Sequence, residues 1–139
     1  MELDFTILTP LNEKGVLSQC DVHYFYYDVL RLNEMRIECV DWEKDIVSII
    51  EKYNAKIKYV ETLPETEPSS NEVYFVVSSS ESIVVSLLRH IRNAFSHYRI
   101  RRIGEEFYIN DRDKMKGRID EMLLKQITET IWDIINSSK

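Results

Sequence analysis

The chain has 139 residues, room for one domain spanning 1–139, and its 44% hydrophobic and 30% charged residues exclude a disordered class. Three glycines and three prolines argue against a turn-rich all-β sandwich. The formal net charge of −6 repels phosphate at long range, so binding to nucleic acid or an anionic membrane would require a local basic patch.

No apolar run is long enough to span a bilayer, and MELDFTILTP lacks the basic and apolar regions of a secretory signal. A cytoplasmic protein with no membrane association is expected. Cys20 and Cys39 form no C-x-x-C and have no flanking ligand set, so two free thiols are expected and a zinc site is not.

Thr9-Pro10 reads as an N-cap followed by proline at the first helical position. A helix or pair of helices then carries HYFYYDVLRL, where His23, Tyr24, Tyr26 and Tyr27 are more simply packing residues than an RNA-stacking surface. Asp41 caps a cleaner helix with Trp42, Ile46, Val47, Ile49, Ile50 and Tyr53 on one face. The segment 61–71, ETLPETEPSSN, reads as a surface loop. Ile57 to Glu61 and Val73 to Val77 make a further short strand pair, unless the second begins the next helix.

Ser79 or Ser80 caps the most regular helix, where Ile83, Val84, Leu87, Leu88, Ile91, Ala94 and Phe95 form one apolar stripe. Tyr98 to Ile103 and Phe107 to Ile109 flank Gly104-Glu105-Glu106 as a β-hairpin. Asn110 to Asp113 is expected to be a polar turn. Ile119, Met122, Leu123, Ile127, Ile131, Ile134 and Ile135 mark a final amphipathic helix. The expected fold is mainly α, a helix bundle with one hairpin before the C-terminal helix and room for one further strand pair.

Charge is unevenly placed. From Ser82 to Gly104 there is no Asp or Glu, yet Arg89, Arg92, Arg99, Arg101 and Arg102, five of the nine arginines, fall there with His90 and His97. Guanidinium groups bind phosphate bidentately, so an Arg-rich, Lys-free patch suits RNA. Asp111-x-Asp113 starts like a calcium loop, but Met115 and Lys116 stand where a ligand and a glycine are required.

Arg92-Asn93-Ala94-Phe95-Ser96-His97 is the most specific feature. Embedded in LLRHIRNAFSH, it resembles the HEPN superfamily, whose motif is Arg, four to six residues, then His, often with a polar residue directly after the Arg. The likeness is greatest to small stand-alone bacterial HEPN nucleases and is specific over Leu87 to His97. It implies a HEPN-like helix bundle and a metal-independent endoribonuclease without cofactors. It further implies a homodimer with the motif at the two-fold interface, a role as a toxin or phage-defence effector, and an antitoxin or other regulatory protein as a partner. Arg92, Asn93 and His97 match the catalytic positions. Arg89, Arg99, Arg101 and Arg102 are the expected RNA-binding residues, with His90, Ser96 and Tyr98 in support. Tyr98 stands where similar members often have Gly, and one place after the histidine, where nucleotidyltransferase-silenced toxins carry Tyr two places after it. The alternative is a catalytically silent HEPN domain that binds RNA or protein.

The residue chemistry agrees with a ribonuclease independently of the resemblance. RNA carries its own nucleophile, the 2′-OH. An imidazole can move protons near neutral pH, and a fixed guanidinium can stabilise charge on the phosphorus. Residues five apart on an unbroken helix point about 140° from each other. Arg92 and His97 can therefore share one phosphate only if the helix ends near Phe95-Ser96 or a second subunit completes the site.

Overall fold

The computed structural model describes residues 16–34, 43–76 and 83–137. The expected caps at Thr9-Pro10, Asp41 and Ser79 or Ser80 lie outside the described residues, as do Cys39, Trp42 and Val77.

Ser18 opens helix α1 (Gln19–Tyr24) with a capping box. Its Oγ accepts from the Asp21 N–H at 3.0 Å, and Asp21 Oδ2 accepts from the Ser18 N–H at 3.1 Å. A π-helical stretch (Phe25–Leu30) and helix α2 (Arg31–Glu34) follow. The chain then forms α3 (Glu43–Lys52), β1 (Lys56–Val60), β2 (Glu72–Val76) and α4 (Ile83–Ser96). It ends with β3 (Ile100–Ile103), β4 (Glu106–Asp111), β5 (Met115–Asp120) and α5 (Glu121–Ser137).

The expected mainly α helix bundle is not what forms. The five strands make one mixed sheet, ordered β1-β2-β5-β4-β3, and the helices pack against it in an α/β arrangement. The hairpin around Gly104 is present, with Ile103 paired to Glu106 and Gly104 at φ 61°. The expected polar turn at Asn110 to Asp113 is half strand, since Asn110 and Asp111 finish β4. Ile119, expected on the last helix, lies on β5.

The cause is a strand with a weak local signature. In Met115–Asp120 the inward positions are Met115, Gly117 and Ile119, so the period of two has a hole where a side chain would mark it. Gly117 pairs with Val73 across β2. A Cβ there would lie 2.7 Å from a Val73 methyl and 3.0 Å from its Cα, so close approach of β2 and β5 needs a glycine.

β1 and β2 run parallel, which a hairpin cannot connect. Residues 61–71 make the crossover and reach far across the sheet. Ser70 Oγ donates to Glu106 on β4, and the Asp120 N–H donates to Asn71 Oδ1 at 2.8 Å. One sheet face carries Val73, Phe75, Phe107, Ile109, Met115 and Ile119 into a core shared with the helices. Phe25 of the π-helical stretch stacks on Phe95 of α4 and meets Phe107 edge-on. Val84, Leu87, Leu88, Ile91, Ala94 and Phe95 bury the apolar stripe of α4. Asp120 Oδ1 caps α5 by accepting from the Met122 and Leu123 N–H groups. Among the described residues no helix is long and apolar enough to cross a membrane.

Candidate functional site

Helix α4 ends one residue before His97. The Tyr98 N–H donates to the Phe95 carbonyl at 3.1 Å, and the Arg99 N–H reaches back to the Ala94 carbonyl at 2.8 Å. These two bonds form a Schellman stop, whose left-handed position is usually glycine. Here it is Tyr98, at φ 58°. The His97 N–H still donates to the Asn93 carbonyl at 3.2 Å, so His97 keeps nearly its helical direction as the last residue of the turn. The 140° estimate for Arg92 and His97 therefore holds within one chain.

Arg92, Ser96, His97, Tyr98 and Arg99 are exposed, and Asn93 is half-buried. Ser96 Oγ donates to the Arg92 carbonyl at 3.0 Å, which ties the last turn together. Among the described residues no hydrogen bond or ion pair holds the Arg92 guanidinium or the His97 imidazole.

Asn93 connects this surface to a buried polar pair. Its Nδ2 donates to Asp111 Oδ2 at 3.4 Å, and the same oxygen lies 2.6 Å from His90 Nδ1. A His90 Nδ1–H donating to the Asp111 carboxyl oxygen satisfies both atoms. His90 is 2% exposed and Asp111 5%, and the His90 ring stacks on Phe75. His90 thus stands behind the motif rather than beside a substrate. Asp111 was not among the expected site residues. Its signal is visible in retrospect: Phe107, Ile109 and Asp111 alternate as inward positions of β4, and an acid that continues an apolar alternation must be buried against a partner.

The basic window does not form one patch. Successive strand residues point to opposite faces, so Arg101 and Arg102 separate. Arg101 is exposed and lies over the Tyr108 ring, 5.1 Å from its centroid. Arg102 turns toward the helices. Its Nη1 donates to Asp21 Oδ1 at 2.9 Å and its Nη2 to Glu121 Oε1 at 2.5 Å. The Glu121 bond raises the arginine pKa, and Arg102, with help from Lys125, lowers that of Glu121. Expected as an RNA contact, Arg102 instead clamps α1, β3 and α5. Arg89 is half-buried on α4. Burial and a hydrogen bond to Glu67 push the Tyr108 hydroxyl up to about 12, so the acidic crossover reaches the face that Arg101 occupies.

The accessible part of the basic window is therefore the C-terminal end of α4 with the start of β3: Arg92, His97, Arg99 and, one step along, Arg101. Such a surface can hold a phosphodiester and move a proton beside it. Among the described residues no group of three or more His, Cys, Asp or Glu side chains is placed to hold a metal ion. Cys20 is an exposed free thiol. No protein-family model, no curated protein and no solved structure matches this chain.

Proposed function

We propose that this chain is a metal-independent endoribonuclease of the HEPN type, cleaving single-stranded RNA at a composite site in a homodimer. The observation that supports it best is the end of α4. There Arg92 and His97 are exposed and unbonded among the described residues, on a helix whose other sides are buried.

In this reading neutral His97 accepts the 2′-OH proton as the 2′-oxygen attacks phosphorus. The bond to the 5′-oxygen breaks, that oxygen takes the proton back from the His97 imidazolium, and the other product strand retains a 2′,3′-cyclic phosphate. Arg92 stabilises the charge that builds on the phosphoryl oxygens. Asn93, oriented by Asp111, holds a phosphate oxygen or the 2′-OH. Because Arg92 and His97 diverge on one helix, each site takes Arg92 from one subunit and His97 from the other. A role as a toxin or phage-defence effector follows from such an activity, with an antitoxin or regulatory protein as its partner.

The test is cleavage of labelled single-stranded RNA in EDTA. The reading requires cyclic-phosphate ends and no attack on DNA, which lacks the 2′-OH. Loss of cleavage in EDTA with recovery in magnesium would overturn the mechanism. A catalytically silent RNA-binding module is the second reading, favoured by the bond that draws the Asn93 amide toward buried Asp111. Binding without cleavage would establish it.

A further inference from the structure

Among the described residues, left-handed backbone marks four that are not glycine: Asn54, Asn71, Tyr98 and Arg112. Asparagine tolerates this conformation because its short polar side chain bonds locally, whereas tyrosine and arginine do not. The two costly positions lie at the same end of the molecule. Tyr98 ends α4 directly after His97. Arg112 begins the turn between β4 and β5, directly after Asp111, whose carboxylate touches Asn93. A second bond, from the Asn110 N–H to the Arg99 carbonyl at 3.1 Å, ties the end of β4 to the start of β3.

A turn requires no arginine there, and glycine would adopt the same φ without strain. The Arg112 side chain is exposed, and among the described residues nothing bonds its guanidinium. Of the acids on either side, Asp111 is already engaged by His90 and Asn93, and exposed Asp113 makes no ion pair with Arg112 among the described residues. Backbone strain that the fold could have avoided, under a permanently charged fork beside a phosphate site, points to a ligand.

We infer that Arg112 binds a phosphate of the RNA strand, making the β4–β5 turn another wall of the site; this rests on the ribonuclease reading of Arg92, Asn93 and His97. Arg112 holds the strand and takes no part in the proton transfers.

The experiment compares wild type, Arg112→Gly and Arg112→Lys. Cleavage of a labelled single-stranded RNA is measured in EDTA, and anisotropy follows binding of the same RNA in a His97→Ala background across a salt series. Arg112→Gly should melt roughly 2–5 °C higher because the strain is released. Its KM should rise about tenfold with a smaller change in kcat, and its salt slope should flatten by about one. Arg112→Lys should keep the salt slope but recover only part of the KM, because it restores charge without the fork. Arg112→Gly with wild-type KM and salt slope overturns the inference and leaves the nuclease intact. If wild type binds but never cleaves, and Arg112→Gly still flattens the slope, the nuclease reading fails and the phosphate role stands. Absence of RNA binding by every variant sinks both.

Discussion

Tyr98 closes α4 in a backbone conformation that suits glycine, and its side chain is 59% exposed, so little packing compensates for it. Tyr98→Gly should accordingly stabilise the fold by about 1 kcal/mol. Equilibrium denaturation checks this, and a loss of stability would mean that the ring makes contacts outweighing the strain. The neighbouring arginines separate by face. Arg102→Ala leaves Asp21 and Glu121 without their shared cation and should cost about 2–3 kcal/mol. Arg101→Ala should change stability by less than about 0.5 kcal/mol, since it stands exposed over Tyr108. A double substitution would confuse the two roles, so each needs its own variant. The same clamp carries a pH dependence. Glu121 has a lowered pKa when folded, so the unfolded chain holds that proton more tightly. Its stabilisation is complete above the ordinary carboxylate range and is lost as pH falls through the folded-state value. Denaturation midpoints measured from neutral pH into acid should therefore fall more steeply for wild type than for Glu121→Gln.

The elements that were legible in the sequence are those with a strong local period. The stripe of α4 is buried as its three- and four-residue spacing requires, and the hairpin at Gly104 sits where its turn residue places it. Leu123 and Ile127 likewise reveal α5. What escaped was nonlocal. β5 depends on Gly117 meeting Val73, a contact between residues more than forty positions apart, and the parallel pairing of β1 with β2 depends on where residues 61–71 travel. Among the site residues, the motif Arg92 to His97 was visible because its residues are consecutive. Asp111 is marked only by its place in the β4 alternation, and its partners His90 and Asn93, which belong to a different element, are not. Gly117→Ala should cost about 1–3 kcal/mol, because Val73 is stiff at its branched carbon and its Cα, at 3.0 Å, is almost as close as its methyls. A stability equal to wild type would show that β2 and β5 can separate freely.

For the whole molecule, an acidic chain carries a cluster of exposed cations, Arg92, His97, Arg99 and Arg101, where α4 stops and β3 begins. A two-fold axis through that end would bring two such surfaces together, which is costly unless an anion lies between them. The proposed RNA cleavage depends on the dimer, and the most direct measurement mixes two dead variants. Arg92→Ala and His97→Ala should each be inactive alone and retain the wild-type fold, since neither residue lies on the buried stripe. After the subunits exchange, half of the dimers are mixed and each mixed dimer has one intact Arg92–His97 pair, so about a quarter of wild-type RNA cleavage should return in EDTA. Full activity in either single variant, or no recovery after exchange of labelled subunits is confirmed, would contradict a composite Arg92–His97 site.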